Sequence, residues 1–436
     1  MNGGNREQRG SAQLDWDFSS EWDAQLFADL HGGGELLCVD VLGTAFAIRW
    51  GRSVTLEQQH SMRSAWSRCA GTGAPLIPPL PKEPTESLPF TASVAYLSQS
   101  YDGGTFPVQA ASFEELAENV TSRLTVAAIL ENAGEFMMLH ACGVADPETG
   151  AVVALVAKSG TGKTTAASVL AGTYGYVSDE TVAIGPDGSV VPYPKPLSVK
   201  QEPGAPKHQV GPDELGLLPT PTKPFIQSIV LLDRVELDRV ERDRVELNRV
   251  ELDRVEAHHE PTLRQLPLAD ALLALIPDSS SQAEIDQPLQ SLCRLIDRVG
   301  GVWQVTYSEA ADLPQALEPL FRKRRRSKPV WDAREAKPEA SVAEQELEAI
   351  PKDWIRRIPP QDAVAIDGDL LVMLEAEIVR LSGIGPAIWE ATASAIPLDE
   401  LAEHVGEVHG RPEDYRAAVA AAAGQLIAKS VLEQGT

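Results

Sequence analysis

Long apolar runs are missing from this sequence. No stretch approaches the ~18–20 consecutive apolar residues that a membrane span requires. The segment from Met1 to Asp17 lacks the basic-then-apolar order of a secretion signal. Cysteine is scarce: the four present, Cys38, Cys69, Cys142 and Cys293, lie far apart with no CxxC pair. That spacing supports neither a zinc site nor a disulfide framework, and it fits reduced thiols in a cytoplasmic protein. Positive charge is in deficit, with 38 basic against 63 acidic residues and a formal net charge of −25. Such a surface repels nucleic acid and anionic membrane, so neither is expected as a partner. The one basic run, Arg322-Lys323-Arg324-Arg325-Arg326 with Lys328, falls where a domain edge is expected. Aromatics are few at 6%, yet 43% hydrophobic residues suffice for globular cores. A chain of 436 residues is too long for one ordinary core, so two or three domains are expected.

Residues 1–20 read as a polar tail and 21–125 as an N-terminal mixed α/β region. Within the latter, residues 35–50 pattern as two strands around Gly43. Five prolines between Pro75 and Pro84 dictate extended or looped chain, and Glu114 to Glu135 carries helical periodicity. Residues 126–327 form the expected central domain, interrupted at 233–256 by a tandem repeat. Asp233-Arg234-Val235-Glu236-Leu237 recurs from Asp238, Asp243, Asn248 and Asp253. A period of five matches neither helix nor strand, because five helical steps overshoot a full turn by about 140°. The repeat therefore reads as an expansion at a loop tip after a buried strand, Ile226 to Leu232. Residues 328–352, charged and proline-containing, have linker composition.

The chemistry concentrates between residues 137 and 180. Met137 to Val144 reads as a strand, Ala151 to Ala157 as a second, buried one, and Thr164 begins a helix. Between them Ala157-Lys158-Ser159-Gly160-Thr161-Gly162-Lys163-Thr164 meets the GxxxxGK[ST] pattern except for Ala157 at its first position. Gly160 and Gly162 let consecutive N–H groups converge on a phosphate, and the helix presents its positive end to the same anion. Lys163 neutralises phosphate oxygens, Thr164 can ligate Mg²⁺, and Thr165 follows in the same turn. ATP and Mg²⁺ are therefore the expected cofactors. Tyr176-Val177-Ser178-Asp179-Glu180 reads as a strand ending in adjacent carboxylates. Running parallel to the strand before the loop, it would bring one acid to the metal and the other to an attacking hydroxyl. His140 lies where it could approach the same space.

These segments, with Tyr193-Pro194-Lys195-Pro196-Leu197-Ser198-Val199-Lys200, resemble the HPr serine kinase/phosphorylase superfamily in its HPr-kinase-related branch, over residues 130–320. The resemblance implies an α/β P-loop kinase domain with Asp179 as base, Glu180 as metal partner and His140 in catalysis, beside Lys163. Lys200 becomes a candidate acceptor or phosphate contact. The chain departs from that family at Ala157, at Glu180 in place of Asp, and at Thr165 in place of Glu.

The remaining residues, 353–436, begin with Ala363 to Ile366 and Leu370 to Leu374 flanking Asp367-Gly368-Asp369, the signature of a hairpin. A third strand, Glu377 to Leu381, and three helices follow, giving a small β-then-three-helix, winged-helix-like domain. Asp367-Gly368-Asp369, Ile378 to Glu390 and Leu398-Asp399-Glu400-Leu401-Ala402 resemble PqqD-like domains, the recognition elements that bind leader peptides of ribosomally made natural products. That likeness implies a leader peptide pairing with the strand Ile378, Val379, Arg380 and Leu381. The two resemblances together imply a peptide Ser/Thr kinase of natural-product biosynthesis, such as a lasso-peptide pathway. Other enzymes of the pathway or a second copy of the chain are further partners. An ATP-gated precursor-delivery protein and a metabolic small-molecule kinase are the alternative readings.

Overall fold

The computed structural model describes residues 36–51, 53–71, 93–99, 105–157, 162–200, 206–235, 260–322, 329–334, 350–375 and 377–435. The polar tail, the proline-rich stretch, positions 158–161 of the glycine loop and the repeat from 236 to 259 lie outside them. So do residues 323–328 and 335–349 of the basic run and linker.

At the N-terminus β1 (Leu37–Val41) and β2 (Thr44–Trp50) pair antiparallel through a turn at Leu42 and Gly43, both at positive φ. Asp40 Oδ1 accepts the Gly43 N–H at 2.9 Å and closes that turn. β3 (Ser93–Gln99) and β4 (Thr105–Ala110) complete a four-stranded antiparallel sheet. Helix α1 (Leu56–Ala65) starts at a reciprocal cap between Thr55 and Gln58. Helix α2 (Phe113–Glu131) buries Leu116, Val120, Leu124 and Ala128 in a core shared with the sheet. This core also takes in Met138, Ala183 and Tyr193, so the N-terminal region packs directly on the central domain.

The central domain is three-layered. Its six-stranded sheet runs β14 (Thr262–Gln265), β16 (Val302–Tyr307), β13 (Phe225–Arg234), β7 (Ala151–Val156), β6 (Ala141–Ala145), β8 (Gly175–Ser178). β13 is parallel to both β7 and β16, and the other neighbours are antiparallel. Strand β7 is buried throughout, as a strand covered on both faces must be. Its alternate residues enter different cores. Val153 and Leu155 meet α3 (Lys163–Leu170) and α6 (Leu313–Leu317), whereas Val152, Ala154 and Val156 meet α4 (Leu268–Leu275) and α5 (Pro288–Val299).

A smaller sheet lies beside this one in the order β10 (Val190–Val191), β9 (Val182–Ile184), β5 (Met137–Leu139), β15 (Ser279–Ser280). β11 (Leu197–Val199) pairs with β12 (His208–Val210). The expected single strand from Met137 to Val144 is thus two strands in two sheets, broken at His140.

The C-terminal module has the expected hairpin, β19 (Asp362–Ile366) and β20 (Asp369–Leu374), with Asp367 and Gly368 at φ 50° and 87°. β21 (Glu377–Leu381) follows, and β17 (Trp331–Arg334) joins the far side, so four residues of the expected linker are a strand. A second sheet joins β18 (Trp354–Arg357) to β22 (Ile396–Pro397) and β23 (Leu432–Gln434). Helices α7 (Gly385–Ala391), α8 (Leu398–His409) and α9 (Tyr415–Ala428) cover one face of the first sheet.

The other face of that sheet does not meet solvent. Val364, Ile366, Leu371 and Met373 enter the core formed by α4, α5 and the central sheet. Polar anchors reinforce the junction. The fully buried Asp362 carboxylate accepts from Gln290 N at 2.9 Å, from Gln290 Nε2 at 2.8 Å and from Ala363 N at 2.8 Å. Trp331 Nε1 donates to Asp297 at 2.8 Å. Asp362→Ala is expected to destabilise the protein by about 1–3 kcal/mol, because it orphans buried Gln290 donors. Urea denaturation checks this, and an unchanged midpoint would show that the junction adds no stability.

Candidate nucleotide and phosphoryl-transfer site

Strand order creates the site. β6 lies between β7 and β8 and runs antiparallel to both, so β7 and β8 end at the same edge of the sheet. From that edge β7 continues through Ala157 into the loop, and β8 continues into Asp179 and Glu180. Lys158, Ser159, Gly160 and Thr161 lie outside the described residues. Gly162 caps α3 at φ 95°, a conformation that glycine adopts without the steric cost other residues meet. Lys163 is buried, and its Nζ donates to the Ala157 carbonyl, closing the loop's base. Thr164 is half-buried in the first turn of α3, and Thr165 is exposed beside it.

Thr164 Oγ1 lies 3.4 Å from Asp179 Oδ2. The other oxygen, Oδ1, is occupied: Lys195 Nζ is 2.8 Å away and the Tyr176 hydroxyl 3.0 Å away. Lys195 also reaches Glu180 Oε2 at 3.2 Å, so one ammonium bridges both acids. Asp179 and Lys195 are buried, whereas the Glu180 side chain is a third exposed. The Ser178 hydroxyl accepts the backbone N–H groups of Glu180 and Thr181 at 3.2 and 3.1 Å, holding the bend that separates the two carboxylates.

Buried charge explains the titration behaviour. Burial pulls the Lys195 ammonium down, but Asp179 and Glu180 more than reverse this and hold it charged. The Tyr176 phenol is pushed well up by burial and by Asp179, so it stays a neutral donor. Burial, then the Lys163 charge, draws His140 below the usual imidazole range, against the upward pull of Glu180 and Asp278. His140 is therefore a neutral imidazole at pH 7. Lys163 is drawn down by burial and up by Asp278 before the other acids.

The sequence-predicted residues Ala157, Gly162, Lys163, Thr164, Asp179, Glu180 and His140 thus converge on one sheet edge. Lys200 is exposed past the end of β11, and Lys195 is the lysine on the acids. Lys195 was visible only as part of a matching segment; its proline neighbours and buried surroundings offered no chemical signal. Asp278 was also missed. It ends the turn after α4, its carbonyl accepts His140 N at 2.6 Å, and its carboxylate acts on both His140 and Lys163.

The candidate peptide strand has a different character. Val379 and Leu381 are buried under α7–α9, and Ile378 packs on the core shared with the central domain. Arg380 is tied to Asp369 at 2.5 Å and across the junction to Asp270 of α4 at 2.9 Å. Among the described residues β21 pairs only with β20, so it offers a backbone edge rather than free side chains.

Among the described residues no group of three or more His, Cys, Asp or Glu side chains could hold a metal by itself. The Thr164 hydroxyl and Asp179 Oδ2 are hard oxygen donors that fit Mg²⁺ carried on nucleotide phosphates, the usual arrangement for that ion. Among the described residues no helix is long and apolar enough to cross a membrane.

No family model matches this sequence, and no curated protein matches it. Among solved structures the chain is similar to the Hpr(Ser) kinase/phosphatase from Coxiella burnetii, at 12% identity and a TM-score of 0.19. The match covers 42% of this chain and 92% of that one. So slight a likeness carries no argument about the reaction, which rests on the site itself.

Proposed function

We propose that this chain is a Mg·ATP-dependent phosphotransferase that captures a ribosomally made precursor peptide through its C-terminal module and phosphorylates a Ser or Thr hydroxyl. The observation that carries the reading is the Thr164 Oγ1–Asp179 Oδ2 approach at the start of a helix that follows a buried strand and a glycine loop. Lys163, Glu180 and His140 surround it. Thr164 and Asp179 would hold a magnesium ion carried on the nucleotide, which would supply charge neutralisation at the phosphoryl group.

The arrangement of the acids favours a division of labour opposite to the one the family resemblance implies. Asp179 has one oxygen capped by Lys195 and Tyr176, and the other faces Thr164, the residue on the metal side. Glu180 is the more exposed acid and sits by neutral His140. We assign Glu180 the acceptor's proton and Asp179 the metal side. The β21 edge can take an extended leader as an added strand, with main-chain pairing giving affinity.

The test is mass spectrometry of precursor peptides incubated with MgATP. A gain of one phosphoryl group is expected on leader-bearing peptide and far less on leaderless peptide, because tethering raises the effective concentration of the acceptor. Glu180→Gln should lower transfer by roughly 10²–10⁴ while keeping MgATP affinity. Asp179→Asn should raise the magnesium requirement. Equal rates on both peptides would remove the capture role, and the opposite behaviour of the two variants would restore Asp179 as base.

A further inference from the structure

Lys195 bridges the two acids, yet the segment that carries it belongs to no strand. Pro192, Pro194 and Pro196 alternate with Tyr193 and Lys195, so only two of these five residues have an N–H to pair. Tyr193 N donates to the Val177 carbonyl at 3.0 Å, and Lys195 N to the Tyr193 carbonyl at 2.9 Å. The Lys195 backbone is thus tied to the end of β8 through Tyr193. The Tyr193 ring is fully buried in the N-terminal core, with Leu116, Val120 and Leu124 of α2. Its hydroxyl lies 2.7 Å from Thr125 Oγ1 on the same helix. Thr125 Oγ1 gives its only proton to the Thr121 carbonyl at 2.9 Å, so Tyr193 is the donor in that contact. Burial, then the Glu180 charge, pushes the Tyr193 phenol well above its ordinary range and keeps it a neutral donor.

From this chain of contacts we infer that Tyr193 and Thr125 are positioning residues for phosphoryl transfer. Through them the N-terminal region is part of the site: α2 holds Tyr193, Tyr193 holds Lys195, and Lys195 holds Asp179 and Glu180. The inference rests on the phosphotransferase reading. A buried hydroxyl donor with one acceptor fixes its ring, because leaving that acceptor strands the donor away from water. The prolines on both sides of Lys195 lock their own backbone angles and leave little slack between the ring and the ammonium. The ammonium also donates to the Pro196 carbonyl at 3.2 Å, so its place follows the same stretch of backbone. A shift there reaches Asp179 Oδ1 directly and turns Oδ2 relative to Thr164. The Tyr193 hydroxyl touches neither acid in this arrangement; it acts through Lys195.

The test pairs calorimetry of ADP binding across a magnesium titration with phosphopeptide formation followed by mass spectrometry. Tyr193→Phe keeps the buried ring and leaves Thr125 bonded to the Thr121 carbonyl, so the chain should fold. It should raise the magnesium concentration for half-maximal ADP binding roughly 10-fold, the scale for losing a group that orients a metal ligand. Its kcat should fall by a similar factor while the KM for peptide stays unchanged. Thr125→Val removes the accepting oxygen and should have the same effect, and Thr125→Ser should recover most of it. The double variant Tyr193→Phe with Thr125→Val should lose no more than the weaker single one, since both act through one contact. Wild-type magnesium dependence and kcat in folded Tyr193→Phe would overturn the positioning role and leave the phosphotransferase reading standing. A loss confined to the melting temperature would make the contact structural and equally overturn it. Losses that multiply in the double variant would show two separate effects and also overturn it. Failure of the wild type to bind MgADP would sink the phosphotransferase reading and this inference together.

Discussion

Lys163→Ala is expected to reduce phosphoryl transfer by at least roughly 10³-fold, because a buried cation at the loop base neutralises developing charge where water cannot. The fold should survive. The ammonium is already drawn down by burial, and its recorded hydrogen bond is to the Ala157 carbonyl, so removing it relieves desolvation as well as losing that bond. Circular dichroism and a thermal melt should match the wild type while phosphopeptide formation is lost. Turnover near the wild-type rate in a folded variant would remove the loop from catalysis.

Lys195→Met should produce the largest loss of stability, about 3–5 kcal/mol by urea denaturation, because it strands the buried Asp179 carboxylate without its counter-ion. Transfer should fall with it, since Oδ1 then keeps only the Tyr176 hydroxyl and Asp179 is less firmly held toward Thr164. The double change Lys195→Met with Asp179→Asn should regain much of the stability, as both buried charges are then gone. The pH dependence has a definite sign. The folded-state pKa of Lys195 is raised, so its contribution is complete below the unfolded lysine value, about 10.4, and declines as pH rises beyond it. A single variant as stable as the wild type would show that the ion pair only offsets its own desolvation.

Several features were legible because their signals are local. The glycine-loop spacing with a strand before and a helix after it, the paired acids at the end of β8 and the Asp367-Gly368 hairpin all depend on residues adjacent in sequence. Neighbouring dihedrals and side-chain chemistry determine them directly. The break at His140 was not legible, since Met137 to Val144 is apolar throughout and periodicity does not say which sheet a strand joins. The strand at Trp331–Arg334 was hidden by charged surroundings; it exists because β19 offers it a paired edge.

By itself, then, the amino-acid sequence determined that a glycine loop of GK[ST] spacing, two carboxylates and a C-terminal hairpin module exist in this chain and in what order. Tertiary structure alone decided which groups meet. It put Lys195 on both acids, Asp278 on His140 and Lys163, Tyr193 against Thr125, and the C-terminal sheet on the core beneath α4 and α5. The physical reason is range. Turn, cap and strand signals act over a few bonds, whereas a buried charge finds its partner through packing, between residues that carry no mark of each other in the sequence.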